Sequence, residues 1–295
     1  MRIADPTPVL ARPDDSLTRR IRVGVVGAGE QATTRLIPAL LHLPNVQLVA
    51  LADLHEARGT AAVERFMVAH RFTDVRGLLA EVEVDALIAA CPPQAHEEIA
   101  ACAIAQRVPV FVEKPPSVTT AVLRELAARA AAAGVVTGVG MNFRHAGPYL
   151  RIKKLLGVPE AGSPVSVTVR HVANKPKAPL WGLTLLCSFL LGQAIHPVDL
   201  MLDLGGPAVD VKAVQRIDER DVLVGAQVEF AGGAVGCLLS GTHACYRSQS
   251  VAVKGAGQAA YVGEAARHLP GYRGAMAIGG YREAFQVLRL GQVTP

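Results

Sequence analysis

The chain has 295 residues, of which 51% are hydrophobic and 19% are charged. This length and balance exclude a disordered protein and are typical of a folded protein with two domains. The formal net charge is only +5, and the sequence has no dense Lys/Arg stripe with interleaved aromatic residues, so nucleic acid is not a favoured partner.

The first predicted strand, Ile21–Val26, leads into a turn whose sequence is Gly27-Ala28-Gly29-Glu30-Gln31-Ala32. The glycines permit a tight turn and let the backbone approach a pyrophosphate, and small Ala32 lets the following helix pack closely on the strand. The N–H groups and dipole at a helix start favour phosphates. We therefore assign the pyrophosphate of a dinucleotide to a turn that comprises Gly27, Gly29, Glu30 and Gln31. Pro38 interrupts the predicted helix, Thr33–Leu41, and is expected to kink or shorten it.

A second predicted strand, Val46–Ala52, ends at Asp53. An acidic residue about 20 positions after such glycines accepts hydrogen bonds from the ribose diol of NAD and repels the 2′-phosphate of NADP. We therefore expect NAD(H) to be preferred over NADP(H). Arg58 is the nearest basic residue and lies too far along the chain to reverse this preference, unless a loop brings it back. The alternative is that Asp53 only caps the next helix.

Strand and helix signals continue to alternate up to Val139. The predicted elements are helix Ala57–His70, strand Ala86–Ala90, turn Cys91-Pro92-Pro93, helix Glu97–Gln106, strand Val108–Val112, helix Thr119–Ala133 ending at Gly134, and strand Val135–Val139. This alternation predicts a parallel sheet with helices on both faces. We therefore predict an α/β Rossmann dinucleotide-binding domain over residues 21–144.

The pattern changes after Arg144. The strand candidates are Val165–Arg170, whose alternation is that of a half-buried antiparallel strand, Val222–Phe230 and Ala234–Leu239, which flank the hairpin turn Gly232-Gly233, and Val251–Val253. The second domain, residues 145–295, is thus predicted to be α+β with a large, mostly antiparallel open sheet.

Three short segments lie in a distinctive order: Cys91-Pro92-Pro93-Gln94-Ala95-His96, Glu113-Lys114-Pro115 and Val139-Gly140-Met141-Asn142-Phe143-Arg144. With them the chain resembles, from about Arg22 to Thr294, the glucose–fructose oxidoreductase / inositol dehydrogenase / rhizopine-catabolism (Gfo/Idh/MocA) family of NAD(P)-dependent oxidoreductases. The resemblance implies that Lys114 lies near the substrate's reacting oxygen. It also implies that the cofactor is bordered by Cys91, Pro92, Pro93, His96 and Glu113. By the same resemblance, Asn142 and Arg144 lie near cofactor and substrate, although hydrogen bonds that cap and link the domains are an alternative role for both.

Hydride transfer at an alcohol or ketone needs a matching proton movement at oxygen. A lysine in a cleft, desolvated and near another cation, can have its pKa lowered towards neutrality, and its charged form can stabilise an alkoxide. Lys114 is therefore the catalytic candidate. His196, in the segment His196-Pro197-Val198-Asp199, can pass the proton on because the unperturbed pKa of histidine lies near physiological pH. The alternative for His196 is a core histidine with a structural hydrogen bond.

The sequence departs from the family beside His196. Members usually carry Asp-x-Gly-x-His, whereas this chain has Gly192 at the aspartate position and Ala194 at the glycine position. The family aspartate helps to hold a substrate hydroxyl, so its absence puts polyol specificity in doubt. Gln193 is a candidate replacement donor. Asp199 shares a helical face with His196 and either orients it or is an ordinary surface carboxylate.

Two other segments bear on the site and on assembly. His171, Lys175, Lys177 and Trp181 lie in a Pro-rich loop that could cover the cleft, although a mobile solvated loop is the favoured interpretation. Gly280–Pro295 resembles the family's penultimate helix and following loop, so the final helix of the family is expected to be missing. The resemblance also implies a homo-oligomer that assembles through the open sheet.

The remaining composition bears on compartment and ligands. The five cysteines lack Cys-x-x-Cys spacing, which argues against a disulfide framework and for a reducing, cytoplasmic compartment. Cys and His residues do not cluster at metal-ligand spacing, so no metal is expected. Residues 1–20 lack an apolar signal core and are predicted to be a flexible leader. The longest apolar run, Leu183–Leu191, is too short to span a bilayer, so no membrane association is expected.

Together these features predict an NAD(H)-dependent oxidoreductase that acts at a secondary alcohol or ketone. The family suggests a sugar, nucleotide-sugar, inositol or related small molecule as substrate. Lys114 and His196 would handle the proton. The rival prediction is a non-catalytic, NAD(H)-sensing regulatory or binding protein on the same fold, which the glycine at 192 favours and the intact Lys114 and His196 disfavour.

Overall fold

A computed structural model of the chain describes residues 19–157, 162–243, 247–255 and 260–267. Nearly all of the predicted leader, and the segment Gly280–Pro295 with its expected missing helix, lie outside these residues. The described part contains two sheets of six strands each. The predicted fold class, a Rossmann domain followed by an α+β domain with an open sheet, is confirmed.

The first sheet is parallel throughout, with strand order β3-β2-β1-β4-β5-β6. Its strands are β1 (Ile21–Val26), β2 (Val46–Ala52), β3 (His70–Phe72), β4 (Ala86–Ala89), β5 (Val110–Val112) and β6 (Thr137–Val139). The helices between them are α1 (Ile37–Leu41), α2 (Glu56–Phe66), α3 (Val75–Glu81), α4 (Pro93–Ala105) and α5 (Thr120–Ala133). The order reverses at β1, and the crevice at such a point is where this class of sheet binds ligands.

Apolar side chains fill both faces of this sheet because successive strand residues point to opposite sides. On one face Val25 and Phe111 pack with Leu36 and other residues of the first helix. On the other face a second cluster joins strand residues such as Leu87 to α3, α4 and α5. The helices therefore cover both faces, as the alternating pattern predicts.

The main differences from the predicted elements lie at helix ends. The predicted helix Ala57–His70 ends at Phe66, because Met67 adopts the left-handed conformation (φ 53°) that terminates the helix, and His70 belongs to β3. The helix predicted from Glu97 begins at Pro93, a residue type that favours the first helical position. Neither β3 nor α3 is predicted from the sequence.

The helix after the glycine turn continues through Pro38. Its segment Ala32–Leu36 is π-helical and leads directly into α1, with the Ile37 N–H donating to the Ala32 carbonyl. Proline removes an N–H group and crowds the preceding turn of a regular α-helix. The expected distortion therefore takes the form of a wider π turn immediately before Pro38.

The second sheet has the order β12-β11-β7-β10-β9-β8. Its strands are β7 (Pro164–Val172), β8 (Ala208–Ile217), β9 (Val222–Phe230), β10 (Val235–Gly241), β11 (Arg247–Gly255) and β12 (Ala260–Arg267). β7 is antiparallel to β11, as predicted, but parallel to β10; the other pairings are antiparallel, so the sheet is mostly antiparallel as predicted. β9 and β10 form the predicted hairpin, and Gly233 takes the positive φ (81°) that its turn requires.

Helices of the second domain pack on one face of this sheet. They are α6 (Gly147–Leu156), α7 (Leu185–Phe189) and α8 (Ile195–Gly205), and a π-helical segment, Leu190–Ala194, joins the last two into one helix. Buried Leu200, Met201 and Leu204 of α8 pack on Val167, Val169 and other residues of the sheet.

This joined helix corrects the expectation about apolar length. The run Leu183–Leu191 is short, but Leu185–Gly205 forms 21 continuous helical residues, which by length and composition alone could cross a membrane. Within the most apolar part of this helix, 56% is buried inside the fold, and buried core helices can be equally long and apolar.

Candidate functional site

The glycine turn leaves β1 at the carboxyl edge of the first sheet. Gly27 has φ 95°, and a Cβ atom there would lie 2.4 Å from the Ala90 carbonyl oxygen, so only glycine fits. Gly29 differs, because a Cβ built on it meets no atom within 4 Å. The open space at Gly29 adjoins a helix start, whose first N–H groups have no partners inside the helix. A pyrophosphate fits this arrangement.

Asp53 lies at the end of β2, as predicted, and is only 3% exposed. Its carboxylate accepts hydrogen bonds from the backbone N–H groups of Ala28 (2.7 Å) and His55 (2.8 Å), and from Arg58 Nε (2.9 Å) and Nη2 (2.8 Å). Burial alone would raise the pKa of Asp53, but the hydrogen bonds from Arg58 and the two N–H groups outweigh it and hold the pKa below its ordinary value. The first turn of α2 brings Arg58 back to Asp53, which is the alternative left open from the sequence, and the preference for NAD(H) over NADP(H) stays a prediction.

His96 is completely buried and joins two segments at the ends of β4 and β5. The Cys91 N–H donates to His96 Nε2 (2.9 Å), so Nε2 is an acceptor and Nδ1 carries the proton that bonds the Pro115 carbonyl oxygen (2.9 Å). Burial lowers the pKa of His96 against the opposing effect of the Pro115 bond, which keeps the ring neutral. His96 therefore fixes the turn Cys91-Pro92-Pro93 relative to Lys114-Pro115. Burial also raises the pKa of the Cys91 thiol to about 11, and the charge of Asp53 adds to this effect.

Glu113, at the end of β5, is 3% exposed and connects three parts of the site. Its Oε1 accepts a hydrogen bond from Gln31 Nε2 (3.1 Å), which belongs to the helix after the glycine turn. Its Oε2 accepts from the Lys114 N–H (3.0 Å). Gly140, after β6, leaves room for this carboxyl group, since a Cβ there would lie 2.9 Å from Oε2. Gln31 and Glu113, predicted separately, thus form one hydrogen-bonded unit.

Lys114 reaches from the first domain to the second. Its Nζ donates to the carbonyl oxygen of Gly192 (2.8 Å), a residue of the π-helical segment before α8. In the π register the partner of that carbonyl would be the N–H of residue 197, and Pro197 has none. The lysine therefore contacts a carbonyl oxygen within an irregular turn of the helix. Single π turns of this kind are frequent at functional sites.

His196 is the second residue of α8 and is 5% exposed. Its ring stacks on Phe143, with centroids 4.3 Å apart and an interplanar angle of 16°. Phe143 in turn contacts His171 edge to face, with centroids 6.1 Å apart. His171 belongs to β7 and is fully buried, so the prediction that it lies in a covering loop is wrong. Sequence reasoning missed Phe143, although it lies between the two predicted site residues Asn142 and Arg144.

Arg144 and Asp199 form an ion pair. Arg144 Nε donates to Asp199 Oδ2 (2.6 Å), its Nη2 donates to Asp199 Oδ1, and its Nη1 donates to Asp203 Oδ1 (3.2 Å). Asp199 is thus the ion-pair partner of Arg144 rather than an unpaired surface carboxylate, and its predicted role in orienting His196 stays a prediction. These hydrogen bonds from the Arg144 guanidinium hold the 3₁₀ turn Asn142–His145 against α8. Two other predicted site residues are buried, each 8% exposed: Asn142 in this 3₁₀ turn and Gln193 in the π-helical segment before α8.

The segment between β7 and α7 is fixed at several points. Gln94 Nε2, beside the Pro-Pro turn, donates to the Trp181 carbonyl oxygen (3.2 Å). The Leu180 N–H donates to Ser188 Oγ (2.8 Å), and Lys177 pairs with Asp221. The loop therefore contacts the Pro-Pro turn at the cleft, which agrees with the interpretation of a covering loop rather than a mobile, solvated one.

A group of potential metal ligands lies in the connection between β8 and β9 and just after β10. One ligand atom each from Asp218, Asp221 and His243 lie within 4.8 Å of one another. The same Asp221 oxygen accepts hydrogen bonds from Lys177 Nζ and Thr242 Oγ1, so an ammonium group already balances its charge. The sequence spacing did not reveal this cluster, and the absence of a resident metal stays a prediction.

Comparison with known proteins assigns the chain to a family. Residues 21–141 match the family model described as the oxidoreductase family GFO_IDH_MocA, NAD-binding Rossmann fold. The solved structure of a dehydrogenase from Chromobacterium violaceum is 31% identical, with a TM-score of 0.84 over 93% of this chain and 89% of that one. The chain belongs to the Gfo/Idh/MocA oxidoreductase family.

Two curated relatives of this Gfo/Idh/MocA member carry specific names. Inositol 2-dehydrogenase from Acidothermus cellulolyticus is 30% identical over 184 residues, which are 62% of this chain and 53% of the relative. The dTDP-3,4-didehydro-2,6-dideoxy-alpha-D-glucose 3-reductase from Streptomyces antibioticus is 29% identical over 239 residues, 78% of this chain and 72% of the relative. The alignment with the inositol enzyme thus spans about half of that protein.

Proposed function

We propose that this chain is an NAD(H)-dependent oxidoreductase that transfers a hydride at a secondary alcohol or ketone carbon. The observation that carries the proposal is the Lys114 ammonium group, whose Nζ lies 2.8 Å from the Gly192 carbonyl oxygen. This contact bridges the nucleotide-binding domain to the helix that holds His196. The Glu113 and Gln31 pair adds support, since it couples the lysine's strand to the glycine turn.

The bound nicotinamide would supply or accept the hydride at C4. In the direction of oxidation, the substrate hydroxyl loses its proton as its carbon loses the hydride, and a neutral Lys114 takes that proton. In the direction of reduction, the charged Lys114 stabilises the developing alkoxide and then protonates it. His196, held by its stack on Phe143, exchanges this proton onward. The Gly192 carbonyl orients Nζ between these steps.

We also propose that the cofactor is NAD(H) rather than NADP(H). Asp53 is buried with its charge retained, and a 2′-phosphate beside it would meet a carboxylate. Arg58 opposes this effect in part, because its side chain is 48% exposed and pairs with Asp53. Since the guanidinium is already bonded to Asp53, we expect the carboxylate to determine the preference.

The proposed substrate is a sugar, nucleotide-sugar, inositol or related polyol. Relatives named for inositol and for a dTDP-linked dideoxy sugar support this range. Both names describe a ring with an oxidised or oxidisable secondary carbon, which matches a lysine-centred proton transfer.

The test combines binding and turnover. Purified chain is titrated with NADH and NADPH by fluorescence, and NAD⁺-dependent oxidation of polyols is assayed for wild type, Lys114→Ala and the exposed control Lys154→Ala. We expect tighter binding of NADH than of NADPH, about 10²- to 10⁴-fold lower kcat for Lys114→Ala with NADH binding retained, and an unchanged control. Full turnover in Lys114→Ala would contradict the catalytic assignment, and preference for NADPH would contradict the assignment of Asp53.

A non-catalytic NAD(H) sensor is a second candidate, which the glycine at position 192 favours. In that case NADH would bind, no polyol would be oxidised by the wild-type chain, and a macromolecular partner would change its affinity with NADH. Turnover that depends on Lys114 excludes this candidate.

We further propose that a second copy of this chain covers the open face of the second sheet. Val214, Val235 and Leu239 lie on that face with exposed fractions of 77%, 49% and 41%, and strand pairing aligns Val214 and Leu239 across Gly225. Leu239→Asp should shift the mass measured by light scattering from oligomer to monomer, while Leu54→Asp, at an exposed site of the first domain, should not. A wild-type monomer at micromolar concentration would contradict this proposal.

A further inference from the structure

Trp181, the only tryptophan in the sequence, contacts Gln94 of the first domain and lies next to Gly192 of the second. Its carbonyl oxygen accepts a hydrogen bond from Gln94, next to the Pro-Pro turn. Its neighbour Leu180 is bonded at both backbone groups to the hydroxyl of fully buried Ser188. Trp181 itself has a positive φ of 55°, an unfavourable conformation for a bulky residue that persists only where the surroundings enforce it.

The indole ring lies against Gly192. A Cβ built on Gly192 would be 3.5 Å from Trp181 Cη2 and 3.9 Å from Cζ3; among the described residues, these are the only atoms within 4 Å apart from its chain neighbours and its own helix backbone. A longer side chain at 192 would therefore compete with the ring for the same space. Cη2 and Cζ3 belong to the six-membered ring, at the end of the indole remote from its N–H group. The surface that replaces the family's aspartate is thus hydrocarbon.

The same glycine binds the lysine. Its carbonyl oxygen accepts a hydrogen bond from Lys114 Nζ at 2.8 Å. The apolar edge of Trp181 and the Nζ group of Lys114 thus both contact Gly192, the ring on the Cα side and the lysine at the carbonyl oxygen. A substrate atom next to the reacting carbon would contact this edge, where a carboxylate would otherwise accept a hydrogen bond.

We propose that Trp181 determines substrate specificity, by selecting a substrate whose carbon next to the reacting carbon carries no hydroxyl group. This inference rests on the proposed oxidoreductase function. A hydroxyl placed against the indole edge loses its hydrogen bonds to water and gains none, which is unfavourable. A methylene or methyl group at the same place loses nothing and buries apolar surface. The substrate class is a ring alcohol or ketone that is deoxygenated beside its reacting carbon.

The experiment compares two probes that differ by one hydroxyl, myo-inositol and 1-deoxy-myo-inositol, in NAD⁺-dependent oxidation. For wild type we expect kcat/KM to favour the deoxy compound by at least about tenfold. Trp181→Phe should retain the preference, because it keeps an aromatic wall. Trp181→Ala should lose it, and the double variant Trp181→Ala/Gly192→Asp, which restores a carboxylate and the room for it, should reverse it. Equal kcat/KM for the two probes in wild type, or an unchanged ratio in Trp181→Ala, would overturn the inference.

The fluorescence of this single tryptophan gives a readout that is independent of turnover. Saturable quenching or a spectral shift of Trp181 emission should accompany binding of 1-deoxy-myo-inositol to the NADH complex, with a weaker response to myo-inositol. An unchanged emission at saturating deoxy compound would overturn the inference. Calorimetric NADH binding and Lys114-dependent turnover are measured on the same preparations. If NADH binding and Lys114-dependent turnover are both present, but replacing Trp181 leaves the kcat/KM ratio of the two probes unchanged, the specificity inference is wrong and the proposed function stands. If NADH binding and turnover are both absent, the proposed function itself fails.

Discussion

Replacement of Gly27 by alanine should destabilise the first domain strongly. The new Cβ would lie 2.4 Å from the Ala90 carbonyl oxygen and 2.7 Å from Cys91 Sγ, and the backbone has φ 95°. The positive φ costs about 1–2 kcal/mol for a residue with a Cβ, and the overpacking adds about 1–3 kcal/mol. The free energy of unfolding should therefore fall by about 2–5 kcal/mol.

Gly29→Ala is the matched comparison, because both variants add one methyl group to the same turn. Apart from its chain neighbours, its Cβ meets no atom of the described residues within 4 Å, so the free energy of unfolding should change by less than about 1 kcal/mol. The methyl group would instead enter the space assigned to the pyrophosphate. We expect NADH affinity to fall at least about tenfold, which corresponds to about 1.4 kcal/mol.

Urea denaturation measures the stability of both variants, and NADH titration of the folded fractions measures binding. The reasoning predicts opposite phenotypes, with stability lost in Gly27→Ala and binding lost in Gly29→Ala. A Gly29→Ala variant that binds NADH as tightly as wild type would refute the assignment of the pyrophosphate to this turn. A Gly27→Ala variant of wild-type stability would refute the packing argument.

Two further predictions concern titratable groups. Burial depresses the folded-state pKa of His96, so its contribution to stability is present above the unfolded pKa of about 6.5 and is lost as the pH falls through the folded value. Below that pH, the unfolding free energy should decline less steeply with falling pH in His96→Gln than in wild type, whereas the exposed His70→Gln should behave as wild type. Equal pH dependence in wild type and both variants would contradict this prediction. Because burial raises the pKa of the Cys91 thiol to about 11, iodoacetamide at pH 8 should modify the exposed Cys187 first, as peptide mass spectrometry can follow. Faster modification of Cys91 would contradict that pKa.

The sequence predicted those features that depend on neighbours along the chain. The strands Ile21–Val26 and Val46–Ala52 have the predicted ends, and the hairpin at Gly232-Gly233 has the predicted turn. Gly27 could be assigned a tight turn because its chemistry is local, and Asp53 a strand end because the period of the apolar residues stops there. The helix ends at Met67 and Pro93 were missed, since a left-handed cap by methionine and an early start at a proline are weak local signals.

Only the tertiary structure decided the contacts that define the site. Lys114 and Gly192 are 78 residues apart, and no periodicity relates them; the contact joins a residue at a strand end of one domain to a carbonyl in the π-helical segment of the other. Arg58 meets Asp53 through the geometry of the first helical turn, and Trp181 fills the space that Gly192 leaves empty. Local pattern fixes secondary structure because backbone preferences extend over a few residues. Which side chains share a cleft depends instead on how two independently patterned domains pack, and that information is distributed over the whole chain.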